Sequence, residues 1–311
     1  MRLLLALLAL LQTAACIVAP SRRVVFGGAS AALLPVAATA APSQGGVVVL
    51  GANGRTGSEC VKALIARNKR VVACTRSGAD AGFESSRLLS TARCDVTDRS
   101  QCFSAVDGAA AVIFAASASK AGGAPSAVDN LGLVNVAEAC LARGVPRLVV
   151  VSSGAVTKPS SPVFLFLNVF GKIMEEKIKG EDAVRRLYAA DDSPCFYTVV
   201  RPGGLTEDAA KGVSALELNQ GDTKSGRIAR SDVAAICVES LASDAAKDAT
   251  FECYDADTAK PLSSVGLSNI LKQTNAKDGS VVLSGKERAG ATWPELFRGL
   301  ERDTAPAALR S

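Results

Sequence analysis

The sequence predicts an α/β fold: a doubly wound, mainly parallel sheet of about seven strands with helices on both faces. Three observations carry that expectation. Short runs of consecutive apolar, often β-branched residues alternate with amphipathic segments of helical period from residue 46 to about residue 254. A glycine-rich turn joins the first such run to the first such segment. The chain of 311 residues is 48% hydrophobic and 21% charged, a balance that suits a globular protein and argues against wholesale disorder.

The folding elements begin only after residue 42. Met1-Arg2 precedes an apolar stretch over residues 3–11, and Thr13-Ala14-Ala15 follows. A basic start, a short apolar run and a small-residue end describe a secretory signal peptide, too short to span a bilayer. Ser21-Arg22-Arg23-Val24-Val25-Phe26 is a twin-arginine pattern, and an alanine-rich stretch leads to a small-x-small site at Ala38-Thr39-Ala40. Two stacked addresses resemble the serial leaders of algae with complex plastids, although Cys16-Ile17 stand where such leaders carry Phe. The resemblance implies a plastid location, stroma or thylakoid lumen, against the plainer alternative of one long secretion signal. Residues 1–42 are therefore set apart as targeting segments, 43–256 as the folded domain and 257–311 as a C-terminal extension. Arg2, Arg22 and Arg23 also supply three of the five net positive charges. The rest is nearly balanced and holds few aromatic residues, which argues against a nucleic-acid partner.

The elements follow in order. Residues 46–50 are a buried parallel strand by their β-branched content. They feed Gly51-Ala52-Asn53-Gly54-Arg55-Thr56-Gly57. A helix follows, with Val61, Leu64 and Ile65 on its apolar side and Lys62, Arg67 and Lys69 between them. Residues 70–75 form the second strand. The glycines have separate physical jobs. Gly51 permits the tight turn, Gly54 lets backbone approach a pyrophosphate, and Gly57 lets the helix pack close to the sheet with its N-terminal amides facing the phosphates. The second strand ends Thr75-Arg76-Ser77, with no acid until Asp80. A carboxylate there would hold a ribose 2′-hydroxyl, whereas Arg76 pairs with a 2′-phosphate, assisted by Arg55. NADP(H) is thus expected, with NAD(H) as the alternative. A third strand ends near Cys94-Asp95-Val96-Thr97-Asp98, and Asp98 caps a helix over about 99–106. Strands at 110–115, 148–151 and 196–200 and a helix at 128–142, closed by Arg143-Gly144, continue the alternation. Asp232 is expected to cap a helix over 233–241, and a seventh strand at 250–254 to complete the sheet.

The spacing G-x-x-G-x-x-G resembles the short-chain dehydrogenase/reductase superfamily, and its Gly-Ala-x-Gly form resembles the atypical branch. Three further stretches narrow this: Asn168-Val169-Phe170-Gly171 with Lys177-Ile178-Lys179-Gly180-Glu181, then Val199-Val200-Arg201-Pro202-Gly203-Gly204-Leu205, then Gly226-Arg227-Ile228-Ala229-Arg230-Ser231-Asp232-Val233-Ala234. Together they resemble the NmrA-like NAD(P)H-binding proteins, close to the plastid set associated with the inner-envelope translocon. The resemblance covers about residues 45–255. It implies a Rossmann-type fold in which Gly51, Asn53, Gly54, Arg55, Thr56, Gly57 and Arg76 hold the dinucleotide phosphates. Asp95 and Val96 would line the adenine, and Ala115, Ala116 and Ser117 would border the nicotinamide ribose. Pro202 and Gly203 would shape the nicotinamide end.

Typical superfamily members pair a tyrosine with a lysine four residues on, and the lysine tunes the phenol for proton transfer. Lys177 aligns with that lysine, but Ile173 stands at the tyrosine position. The resemblance implies that Lys177 holds the nicotinamide ribose or acts as an acid itself, and that Ser152 or Ser153 hydrogen-bonds a substrate carbonyl. Tyr188 and Tyr197 lack the spacing to replace the missing phenol. The chain has no histidine, which excludes serine and cysteine triads built on histidine and any histidine-ligated metal. Its nine cysteines form no C-x-x-C and sit mostly in apolar runs, where a free thiol packs as a small hydrophobe. Residues 161–170 are a ten-residue apolar run that packs in the core, lines a flat substrate pocket or touches a membrane. Residues 293–300 suggest one short amphipathic helix. The expected function is NADP(H)-dependent hydride transfer to a small flat acceptor, a quinone, flavin or carbonyl. The competing expectation is a non-catalytic NAD(P)H-binding redox sensor or assembly protein of the plastid, with thylakoid or envelope membrane association; an epimerase or isomerase that retains its cofactor ranks last.

Overall fold

Val-Val-Val-Leu at Val47–Leu50 forms the first strand, β1, and every residue in it is buried. A strand covered on both faces has no polar side to show, so its sequence is a continuous apolar run. The computed structural model describes residues 45–78, 82–119, 122–169, 171–264 and 286–304. The targeting segments expected over residues 1–42 lie outside them, as do Asp80 and Phe170.

The strands continue as β2 (Val71–Thr75), β3 (Leu89–Arg93), β4 (Ala111–Phe114), β5 (Arg147–Val151), β6 (Phe196–Pro202), β7 (Gly204–Thr206), β8 (Leu216–Asn219), β9 (Lys224–Ser225), β10 (Arg227–Ala229), β11 (Ala249–Asp255) and β12 (Lys260–Pro261). Eight of them form the central sheet in the order β3-β2-β1-β4-β5-β6-β11-β8. All its pairings are parallel except β11 with β8. The sheet therefore extends one strand beyond the expected seven, and 250–254 does not close it. Leu216-Glu217-Leu218-Asn219 is a four-residue edge strand whose brief apolar alternation is too short to announce itself.

The helices are α1 (Arg55–Ala66), α2 (Arg99–Ala105), α3 (Leu133–Ala142), α4 (Pro162–Asn168), α5 (Ile173–Ala189), α6 (Arg230–Ser240) and the short α7 (Trp293–Leu296). Alternate strand residues face opposite sides. Val47, Val49, Val71 and Ile113 pack with α1 and α6, while Val48, Leu50, Val72 and Phe114 pack with α2, α3 and α5. The sheet is a doubly wound, Rossmann-type α/β sheet.

Three local expectations are corrected. The helix expected over 128–142 starts as a π-helix at Ser126–Gly132 and becomes α-helical only at Leu133. Hydrophobic period does not distinguish a wide turn from an ordinary one. Asp232 does not cap its helix: α6 starts at Arg230 after the extended Ala229, so Asp232 lies inside the first turn. Its carboxylate instead accepts the backbone N–H groups of Lys211 (2.8 Å) and Gly212 (3.1 Å). Helix α7 is limited to four residues, and with Phe297 it packs Leu296 into the core beside Phe251. By contrast, Asp98 caps α2 as expected, accepting from the Gln101 N–H.

One buried charge network joins the carboxyl ends of β5, β6 and β11. Glu181 on α5 is fully buried. It accepts from Ser152 Oγ (2.5 Å), Arg201 Nη2 (2.6 Å) and Arg185 Nη2 (2.8 Å). Arg201 also reaches Glu252 on β11 at 3.2 Å. Asp303, near the end of the described chain, accepts from Thr250 Oγ1 (2.6 Å), Tyr197 OH (3.0 Å) and Arg185 Nε (3.1 Å). Burial by itself would raise the Glu181 pKa, but Arg201 and Arg185 outweigh it and hold the carboxyl at about 2. Burial dominates at Glu252 and pushes it up to about 7, against the attraction of Arg201.

Two outcomes are expected. Glu181→Ala removes the fully buried partner that two buried guanidinium groups share and should cost about 3–5 kcal/mol in urea unfolding. Glu252 holds its proton in the folded chain up to about pH 7, but loses it near 4.5 when unfolded. Its contribution is therefore fully present below pH 4.5 and lost as pH rises to 7, so stability falls by roughly 3 kcal/mol through that window. Glu252→Gln should flatten that slope in a pH series of unfolding curves.

Candidate active site

The strand order reverses between β1 and β4, where crevices form at the carboxyl ends of parallel strands. A cleft of about 530 Å³ lies there. Its floor is the turn from β1 into α1. Gly51 has φ +80°, and a Cβ on it would stand 2.7 Å from Ala116 Cα, so only glycine lets the turn lie against the end of β4. A Cβ on Gly57 would stand 2.2 Å from the Gly51 carbonyl oxygen. Gly54 precedes α1 with ordinary backbone angles. No side chain caps α1 and no acid stands in its first turn. Its leading N–H groups and positive dipole end are thus available to an anion.

Three arginines line this cleft: Arg55, Arg76 and Arg230. Arg76 is exposed and makes no ion pair among the described residues. Arg230, at the start of α6, stands beside Arg55 on the cleft wall, with Nη1 2.6 Å from Glu207 Oε1. Burial, and then the charge of Arg55, lowers its pKa. Glu207 also meets Arg55 at 3.3 Å, an exposed contact that solvent weakens. The motif around residues 226–234 contains Arg230, but sequence spacing gave no reason to place it beside Arg55. Only the folding of α6 against α1 does so.

Asn53, Thr56, Asp95, Val96, Ala115, Ala116 and Ser117 also line the cleft. The Asp95 carboxylate accepts from the N–H (3.0 Å) and hydroxyl (2.8 Å) of Thr97, which shapes the loop after β3. Gly57, Ser152, Ser153, Lys177, Pro202 and Gly203 are not among the lining residues. The structure commits the Ser152 proton to Glu181 rather than to a substrate carbonyl. Ser153 donates to the Gly154 carbonyl at 3.1 Å. Gly203 serves a chain crossing, because a Cβ there would stand 2.3 Å from the Gly226 carbonyl oxygen. The Pro202 carbonyl accepts the Gly154 N–H, tying two strand exits together.

Beyond Ser117 lies a group that sequence reading missed. Asp129, on the π-helix, is buried. It accepts from Ser117 Oγ (2.8 Å), the Ala118 N–H (2.9 Å) and Lys177 Nζ (2.7 Å). Ile173, at the position of the absent tyrosine, packs against a satellite core of Ala155, Val156, Phe164, Met174 and Leu262. Tyr188 and Tyr197 are buried edge to face, 5.3 Å apart, and neither lines the cleft. The eight described cysteines are all buried. Burial pushes the Cys74 thiol up to about 12, which makes it a poor nucleophile.

Residues 51–244 match the NAD(P)H-binding family. An uncharacterized chloroplastic protein of Arabidopsis thaliana is 34% identical over 206 residues, covering 63% of this chain and 71% of the relative. The chloroplastic protein TIC 62 of Pisum sativum is 30% identical over 58% of this chain, which spans 37% of that longer protein. Sanguinarine reductase of Eschscholzia californica is 35% identical over 41% of this chain and 45% of its own length. Among solved structures, an oxidoreductase from Lactococcus lactis superposes with a TM-score of 0.57 at 20% identity, covering 68% of this chain and 92% of that one. An anaerobillin reductase from Escherichia coli O157:H7 gives 0.52 at 24% identity, covering 69% and 98%. These structural likenesses show the fold.

The glycine geometry is testable by unfolding. Gly57→Ala must push α1 off the Gly51 carbonyl and should cost about 1–3 kcal/mol. A Cβ on Gly54 would meet only that carbonyl, at 3.1 Å. Gly54→Ala should therefore cost about 1 kcal/mol or less.

Proposed function

Because the chain belongs to the NAD(P)H-binding family, we propose that it is an NADP(H)-dependent oxidoreductase of the atypical short-chain type, working in a plastid on a small flat acceptor. The observation that carries this reading is the cleft itself: an uncapped helix start, a glycine turn packed against the end of β4, and three arginines around them. That donor set fits a dinucleotide diphosphate. Arg76 stands where a carboxylate would select the unphosphorylated ribose, and its guanidinium suits a 2′-phosphate. This supports NADP(H) over NAD(H). The chloroplastic relatives and the stacked leader patterns support the plastid.

When bound, the nicotinamide would supply the hydride. The chain's own residues bind and orient. The α1 N-terminus and Arg55, with Arg230 beside it, would neutralise the diphosphate, and Arg76 the 2′-phosphate. No phenol lines the cleft among the described residues, so a quinone, flavin or conjugated carbonyl that takes its proton from water is the acceptor class that tolerates Ile173. The sanguinarine reductase relative supports a reductase rather than a purely structural protein.

A second reading has its own support. Ile173 belongs to a packed cluster rather than to the cleft, and the TIC 62 relative is not named for a reaction. The protein would then bind NADP(H) and report its redox state to a partner. Following NADPH emission with a panel of flavins, quinones and carbonyls separates the two. Acceptor-dependent loss of the signal supports the reductase, and binding without turnover across the panel supports the sensor.

The cofactor preference has a sharper check. Arg76→Ala removes a charge-assisted contact and should raise the NADPH Kd by about 10–100-fold. The NADH Kd should shift less than about threefold by the same reasoning. Equal losses for both cofactors would remove Arg76 from the specificity argument.

A further inference from the structure

A carboxylate without solvent exposure is costly to bury unless it has partners, and its partners indicate what it is for. Asp129 has three, and two of them, Ser117 and Ala118, belong to the cleft wall. The third, Lys177, is only 12% exposed and makes no other ion pair among the described residues. Ser117 Oγ and Lys177 Nζ meet on the same oxygen, Oδ1, so the ammonium lies one atom beyond the cleft-lining hydroxyl.

Two backbone features bring the pair together. The wide turns of the π-helix place Asp129 on the side facing α5, and such turns recur at functional sites. Gly180 has no side chain where a Cβ would stand 2.5 Å from the Asp129 carbonyl oxygen, so α5 lies directly on the π-helix backbone. One residue along, Asn130 Nδ2 donates to Glu176 Oε2 at 2.8 Å and clamps the same junction.

The direction of a bound dinucleotide follows from the fold. The end of β2 holds the adenine ribose and the α1 start the diphosphate, so the second ribose and its ring run toward the end of β4. We propose that Asp129 is a positioning residue for that half: it anchors the Lys177 ammonium and the β4 exit loop beside the second ribose. The inference rests on the dinucleotide reading of the cleft. The Asp129–Lys177 pair orients without a tyrosine, and its work is binding rather than proton transfer.

The test uses two probes by calorimetry on the full chain: NADPH, and 2′,5′-ADP, which ends before the second ribose. Asp129→Asn and Lys177→Met should each raise the NADPH Kd by about tenfold, the loss of one charged contact. Each should leave 2′,5′-ADP binding within about twofold, and the double variant should be no weaker than the worse single one. Equal weakening of both probes, or additive losses, would assign Asp129 to structure alone and overturn the proposal. Unchanged NADPH binding in both variants would overturn it as well. If Asp129→Asn does not fold, Lys177→Met still decides through the split between the probes. Wild-type protein that binds 2′,5′-ADP and NADPH equally well shows no grip on the second half and sinks this inference, leaving the cleft reading intact; wild type that binds neither probe sinks both.

Discussion

The carboxylate of Glu181 is the constraint on which the carboxyl-terminal edge of the sheet depends. It is fully buried, and it holds together β5 through Ser152, β6 through Arg201 and α5 through Arg185. Arg201 passes the connection to Glu252 on β11, and Glu252 accepts the Asp222 N–H at 2.9 Å. Asp222 in turn holds the N–H groups of Ala155 and Thr157 beyond the exit of β5. Without that carboxylate Arg201 would keep only Glu252, and Arg185 only Asp182 and Asp303, so removing the shared member costs more than one pair is worth by itself.

The same anchor sets the site. Lys177 stands four residues before Glu181 on α5, so both lie on one helix face. With Glu181 locked under the sheet, that face is aimed at the strand ends, and Lys177 arrives at Asp129. Gly180, between them, allows the approach to the π-helix. The motif Lys177-Ile178-Lys179-Gly180-Glu181 is thus one mechanical unit: an ammonium for the cleft side, a gap for close packing and a carboxylate for the core. Ile173 belongs to the next turn toward the helix start, where it packs with Met174 and Phe164. Ile173 is thereby part of a hydrophobic support for α4.

On the other flank, cations and backbone amides divide the work. The α1 start offers fixed dipoles, which need no reorganisation when an anion arrives. Arg55 and Arg230 share Glu207. That acid offsets the repulsion between two neighbouring like charges. The exposed Leu165 and Val169 on and after α4, at 57% and 79%, are what remains of the apolar run at 161–170 once Phe164 is buried. No helix among the described residues is long and apolar enough to cross a membrane.

The sequence by itself determined the sheet's parallel core, the glycine turn and the identity of the charges near it. These are local properties: a strand buried on both faces must be apolar along its length, and a turn at φ +80° against a neighbouring strand must be glycine. Asp98 was legible as a cap for the same reason. Tertiary structure decided everything that depends on residues far apart in the chain. It placed Arg230 beside Arg55, turned Ser152 toward Glu181, moved Asp232 off its helix cap, and added β8 at the edge. It also joined Asp129 to Lys177. No spacing rule marks an isolated aspartate in an apolar helix as the partner of a lysine 48 positions later, because what brings them together is a wide helical turn and a glycine on another helix.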